Sequence, residues 1–165
     1  MDQQAKKVIS EMLRDTKISK IMTTRVFSVR ADANLSQAVS LFTDQSLTHL
    51  PVIDANNKVV GLLSHMYIYK TLAPRKFVEG EVTAAPDMVM DGGSFYLKET
   101  LDRHYLKNVM KKDPLTINRN ESLAVAVHFM ANRRIGCMPV VDDLKNLAGI
   151  ITNQDVINFI AMILV

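Results

Sequence analysis

Close to the end of the chain, Gly149-Ile150-Ile151-Thr152-Asn153-Gln154-Asp155 sets a hydroxyl three residues before a carboxylate, where an apolar run gives way to a helical pattern. Two chemistries suit that pair. In a capping arrangement the Thr152 hydroxyl serves the first amides of the helix and Asp155 bonds back. In a ligand site an ionised carboxylate offers two acceptor oxygens to adjacent hydroxyls, such as those of a ribose. Thr152 would then meet a phosphate beside the first turn of the helix, where unpaired amides and the helix dipole favour an anion. The readings are compatible, because a cap can also wall a site.

Little else in the chain carries reactive chemistry. His49, His65, His104 and His128 show no metal spacing, and no cysteine or carboxylate completes a set. Cys137 is the single cysteine, so an intramolecular disulfide is excluded, and burial as a small apolar side chain is its expected role. No nucleophile elbow, phosphate loop or local pair of carboxylates points to catalysis. The net charge is +3, and the basic pairs Lys6-Lys7, Arg75-Lys76, Lys111-Lys112 and Arg133-Arg134 are scattered without interleaved aromatics, which argues against nucleic acid. With 48% hydrophobic residues over 165 positions, the chain can bury one core of ordinary size or two small ones. No apolar run reaches the roughly 18 residues of a membrane span, and Met1-Asp2-Gln3-Gln4 lacks the apolar stretch of a signal peptide, so a cytoplasmic location is expected.

The elements that must position Thr152 and Asp155 occur twice. Laid over itself at an offset of 88 residues, Ile21–Ile68 matches Val109–Val156 without a gap. Met22, Leu35, Ala38, Val39, Pro51, Val52, Asp54 and Gly61 recur as Met110, Leu123, Ala126, Val127, Pro139, Val140, Asp142 and Gly149. Each copy reads as strand, helix, strand, strand, helix. Val26–Val29 and Pro114–Ile117 are the short first strands; helices run from Leu35 to Gln45 and from Leu123 to Arg133. Asn34 is expected to cap the first of these helices, with Gln37 closing a capping box. Leu50–Ile53 and Met138–Val141 are buried strands that turn at Asp54–Asn57 and Asp142–Asn146 into Val59–Leu63 and Leu147–Ile151. Closing helices are expected over Met66–Leu72 and Gln154–Leu164; the second is apolar nearly all round and should be buried, in the core or in a subunit interface.

Four segments follow from this: a helix within residues 1–17, repeat 1 at 18–72, a connection at 73–105 and repeat 2 at 106–165. Ala5, Val8, Ile9, Met12 and Leu13 give the first helix an apolar side. In the connection, Ala73 to Gly93 reads as loop. Ser94 onward reads as helix, with Leu97, Leu101 and Tyr105 on one face, and the whole reads as a tether more than a lid.

The repeats resemble the tandem cystathionine-β-synthase (CBS) domain pair, or Bateman module. The resemblance rests on Ile21-Met22 and Val109-Met110 opening the copies, on Leu50-Pro51-Val52-Ile53-Asp54 and Met138-Pro139-Val140-Val141-Asp142, and on Gly61-Leu62-Leu63-Ser64 and Gly149-Ile150-Ile151-Thr152. It implies an α+β fold in which two β-α-β-β-α repeats pack about a pseudo-twofold axis and leave two clefts. It also implies an adenosine derivative as regulatory ligand, AMP, ADP or ATP with S-adenosylmethionine as an alternative, no metal, and assembly into a homodimer that signals to a protein partner.

The motif Gly149-Ile150-Ile151-Thr152-Asn153-Gln154-Asp155 matches the family's nucleotide motif, and the resemblance draws the base-binding wall from Ile18 and Leu47-Thr48-His49. Gly149 also has a plain folding role, since Gly61 repeats it. The first copy departs from the motif: Tyr67 stands where the ribose-binding aspartate belongs, although Ser64 is kept. A phenol cannot chelate two hydroxyls as a carboxylate does, so the second cleft, walled by Ile135-Gly136-Cys137, is expected to be empty, altered or filled by Tyr67. The alternatives to one competent nucleotide site are a ligand-free interaction module and, below it, a nucleotide-handling enzyme or nucleic-acid binder.

Overall fold

The apolar spacing near the start produces a helix, α1 (Gln3–Asp15), whose N-terminal amides are served by Asp2. The structure is a computed structural model that describes residues 2–66, 68, 88–91 and 94–164. A 3₁₀ turn at Ile18–Lys20 follows α1, then β1 (Val29–Arg30), α2 (Leu35–Asp44), β2 (His49–Ile53) and β3 (Val59–Ser64). Next come β4 (Met88–Asp91), β5 (Ser94–Leu97), α3 (Lys98–Arg103), α4 (Leu106–Val109) and β6 (Lys111–Lys112). The chain closes with β7 (Ile117–Asn118), α5 (Leu123–Arg133), β8 (Cys137–Val141), β9 (Leu147–Thr152) and α6 (Asn153–Leu164).

Two compact units divide the chain, and each draws on both repeats. The first holds Met1–Val26, Asn56–Val59 and Pro114–Val165; the second holds Phe27–Ala55 and Val60–Asp113. In the first unit β7, β8 and β9 form a sheet, β7 parallel to β8 and β8 antiparallel to β9. Thr23 adds a bridge to its edge: the Thr23 amide donates to the Ile150 carbonyl at 3.0 Å, and the Ile150 amide donates back at 3.0 Å. The core behind the sheet contains Ile18, Met22, Leu123, Ala126, Met138, Val140 and Ile151. In the second unit the sheet order is β1-β2-β3-β6, and Leu35, Phe42, Leu50, Leu63, Leu101 and Leu106 lie in the core. Full burial of a side chain of this size stabilises the fold by about 1.5–3 kcal/mol.

The same exchange of segments occurs in both units, 88 positions apart. In the first, Ile18 donates its amide to Glu121 (2.9 Å) and Leu123 donates to Thr16 (2.7 Å). In the second, Leu106 donates to Ala33 (2.9 Å) and Leu35 donates to His104 (2.8 Å). Lys111 stands opposite Leu62 as Thr23 stands opposite Ile150. The hairpin turns repeat as well: Asn57 and Lys145 both take the left-handed conformation, φ 61° and 65°.

Several expectations need correction. The first strands are shorter than the apolar runs: Val26–Ser28 and Pro114–Thr116 are not strand, and only Val29–Arg30 and Ile117–Asn118 pair, each with the parallel neighbour that follows the helix. Asn34 precedes α2 but makes no side-chain cap; its Oδ1 accepts from the Ser36 hydroxyl at 3.0 Å, and the Leu35 amide is satisfied by His104. In the connection, Ser94–Leu97 is a strand antiparallel to Met88–Asp91, and helix begins only at Lys98. The closing helix of repeat 1 begins at His65 and Met66; the rest of Met66–Leu72 except Ile68, with Tyr67, lies outside the described residues. Helix α6 has no fully buried residue: Val156 and Phe159 are half-buried against the core of the first unit, and the apolar side chains beyond them are exposed.

Candidate functional site

Strand β9 delivers Thr152 to the point where α6 begins, and the sequence spacing then brings Asp155 back over it. Asp155 Oδ2 accepts the Thr152 amide at 2.7 Å and the Thr152 hydroxyl at 2.6 Å, while the Asp155 amide donates to Thr152 Oγ1 at 3.3 Å. The capping arrangement expected of this pair is therefore formed, and it holds the carboxylate at the first turn of the helix, where the dipole favours an anion. The other oxygen, Oδ1, accepts from the Thr23 hydroxyl at 3.2 Å, a contact between positions 132 residues apart.

Asp155 also lines a pocket of about 460 Å³ together with Thr16, Lys20, Ile21, Asn158, Phe159 and Met162. That volume lies within the roughly 300–1,000 Å³ of small-molecule sites, which combine apolar walls with a few placed polar groups. A carboxylate, an ammonium, an amide and a hydroxyl here face an aromatic ring and two aliphatic side chains. Lys20, Thr16 and Thr23 escaped the sequence reading. Thr16 ends the first helix, and Lys20 and Thr23 open repeat 1; all three come to the Asp155 side of the first unit through the segment that leads into repeat 1.

The remaining expected site residues divide between the units. Ile18 is fully buried in the core of the first unit; its amide is taken by Glu121 and its carbonyl by Ile21 and Met22, so it presents no group to a ligand. Its neighbours Lys20 and Ile21 stand at the pocket instead. Ile151 is likewise fully buried, and Asn153 is exposed, with its amide donating to Gly136 at 2.9 Å. Gly149 faces the exchanged segment. A Cβ there would lie 2.7 Å from the Thr23 carbonyl oxygen and 3.0 Å from Met22 Sδ, so the glycine serves close packing.

The register pairs Cys137 with Thr152, so Ile135, Gly136 and Cys137 lie in the same unit as Thr152 and Asp155. Cys137 is buried, as expected for a small apolar side chain. Leu47, Thr48 and His49 lie in the second unit with Ser64, where the Thr48 carbonyl accepts the His65 amide at 3.1 Å. The Thr48 hydroxyl and His49 Nδ1 are 3.0 Å apart. Burial holds the His49 imidazole below its usual pKa, so at neutral pH the ring is uncharged. Among the described residues no group of His, Cys, Asp and Glu is arranged to hold a metal ion, and no helix is long and apolar enough to cross a membrane.

Comparison with known proteins agrees with this architecture. The chain is 28% identical over 149 residues to a homoserine O-acetyltransferase of Methanococcoides burtonii, a match that covers 90% of this chain but only 25% of the enzyme. Among solved structures it superposes on the CBS domain of a bacterial CNNM/CorC family Mg²⁺ transporter in complex with ATP. The TM-score is 0.70 at 18% identity, and the match covers 97% of this chain and 98% of that one. It also superposes on the CBS domain pair of protein MJ0100 in complex with 5′-methylthioadenosine and S-adenosyl-L-methionine. There the TM-score is 0.66 at 18% identity, with 89% and 97% covered. Residues 18–73 and 106–162 each match the CBS domain, and on that double match the chain belongs to the CBS domain family as a tandem pair.

Proposed function

We propose that this CBS domain pair is a regulatory sensor for an adenosine nucleotide of the AMP, ADP or ATP class, with Asp155 on the ribose and Thr152 holding that carboxylate in place at the first turn of α6. The observation that carries the reading is the placement of the Asp155 carboxylate, held by Thr152 at the start of α6 on the wall of a pocket of about 460 Å³. Asp155 has an oxygen directed away from the cap, and Lys20 brings a positive charge to the same pocket. The ligands bound by the two structural relatives, ATP in one and S-adenosylmethionine with methylthioadenosine in the other, share only adenosine, which supports the ribose and base as the recognised part.

The motif bearing Ser64 and Tyr67, with Ile135, Gly136 and Cys137, forms no second competent site, so one nucleotide binds per chain. The module performs no reaction itself. It acts as a homodimer in the cytoplasm, and ligand binding favours one arrangement of the repeats that a protein partner senses, with a coupling of about 1–3 kcal/mol.

Calorimetric titration with AMP, ADP, ATP, S-adenosylmethionine and 2′-deoxy-AMP tests this, repeated on Asp155→Ala. At least one adenosine nucleotide should bind to the wild type. Losing a hydrogen bond to a charged group costs about 1.5–3 kcal/mol, so Asp155→Ala should bind about 10- to 150-fold more weakly. Because the cap is complete without any ligand, a wild type that binds none of the five leaves Thr152 and Asp155 as a helix cap in an interaction module.

A further inference from the structure

An ionised carboxylate has about four lone-pair directions in which to accept hydrogen bonds. At Asp155 three are in use: Oδ2 accepts the Thr152 amide and hydroxyl, and Oδ1 accepts the Thr23 hydroxyl. A ribose brings two adjacent hydroxyls and needs two directions. One is open, so a protein donor has to leave. The Thr152 amide is fixed in the backbone and the Thr152 hydroxyl makes the shortest of the three bonds, at 2.6 Å. The Thr23 bond is the longest, at 3.2 Å, and it is exposed. The Thr23 backbone is bonded in both directions to Ile150, so rotation about χ1 alone releases Oδ1 without moving the chain.

We propose that Thr23 sets the site's selectivity for the ribose diol: its hydroxyl stands in for one ribose hydroxyl on Asp155 and is displaced when a 2′,3′-diol binds. The inference rests on the reading of Asp155 as the ribose ligand. The duplication supplies a second observation. Lys111 occupies the register position opposite Leu62 that Thr23 occupies opposite Ile150, and Tyr67 occupies the sequence position of Asp155. Both partners of the Thr23–Asp155 bond are therefore changed in the other copy. A ligand with one ribose hydroxyl uses the open direction and leaves Thr23 in place. The diol has to displace Thr23, which narrows the advantage of ribose over deoxyribose.

The test compares AMP with 2′-deoxy-AMP by calorimetry on the wild type, Thr23→Val and Thr23→Ser. Valine keeps the branched shape and removes the hydroxyl. It should tighten AMP binding and leave 2′-deoxy-AMP nearly unchanged, raising the ratio of their dissociation constants about 3- to 10-fold, the worth of one displaced hydrogen bond. Thr23→Ser should keep the wild-type ratio, and Thr23→Ala should follow valine. An unchanged or smaller ratio in Thr23→Val, in a protein that still binds AMP through Asp155, overturns the role of Thr23 alone. A wild type that binds no AMP, or an Asp155→Ala variant that binds it equally well, overturns the ribose reading and this inference together.

Discussion

At the scale of single residues, Thr152 works in two directions at once, and its structural work can be measured without ligand. Its hydroxyl accepts the Asp155 amide and donates to the Asp155 carboxylate, so removing it leaves the first turn of α6 with an unmet amide. Thr152→Ala should cost about 0.5–2 kcal/mol in urea unfolding, and Thr152→Ser should recover most of it. Equal loss in both variants would mean that the methyl group, not the hydroxyl, holds the turn. This pair was legible in the sequence because its geometry is local: three residues along a helix start fix where the two side chains meet. Thr23 was not legible, since it reaches Asp155 across 132 positions through a bridge that no local pattern encodes. Ile18 was legible as a position but not in its surroundings: its apolar side chain lies in the core, and its polar neighbour Lys20 lines the pocket.

At the scale of elements, the two glycines that repeat at 61 and 149 meet different obstacles. Both sit where a strand is crossed by a segment of the other repeat. At Gly61 an added Cβ would fall on the Met110 side chain, which is flexible and can turn aside. At Gly149 it would lie 2.7 Å from the Thr23 carbonyl, which is fixed by its bond from the Ile150 amide at 3.0 Å. Overpacking costs about 1–3 kcal/mol, so Gly149→Ala should lie at the top of that range in urea unfolding and Gly61→Ala at the bottom. Equal losses would show that the Thr23 segment yields as readily as a methionine side chain. The helices and the β2–β3 and β8–β9 hairpins followed from periodicity and turn residues, because burial of one face fixes both. The β4–β5 pairing did not. Leu97 and Leu101 happen to share helical spacing, which hid a stronger signal in the sequence, the dipeptide Gly92-Gly93 between two short apolar runs. The first strands were read too long because only Val29 and Ile117 of their apolar residues are both buried and paired, while Phe27 and Leu115 are exposed.

At the scale of the whole molecule, α6 leaves an open account of apolar surface. After Asp155 the helix carries no charged side chain through Leu164, and Ile157, Ile160, Met162, Ile163 and Leu164 are exposed at 57, 44, 79, 46 and 81%. A helix that is apolar all round is normally buried, and a contiguous patch of this kind marks an interface. The groove beside it, lined by Val127, Met130, Ala131, Val156 and Ile157 with the one polar side chain of Asn153, adds about 340 Å³ of mainly apolar space between α5 and α6. A second copy of the chain, the partner proposed for this module, would cover the same surface on both subunits, because a twofold interface is self-complementary. Sedimentation velocity should therefore give the wild type twice the chain mass of 18.5 kDa. Ile160→Glu places a charge in the middle of the patch at a position that is not part of the core, so it should sediment at the single-chain mass with its fold intact by circular dichroism. A wild type that sediments as a single chain, or an Ile160→Glu variant that remains dimeric, would remove α6 from the interface.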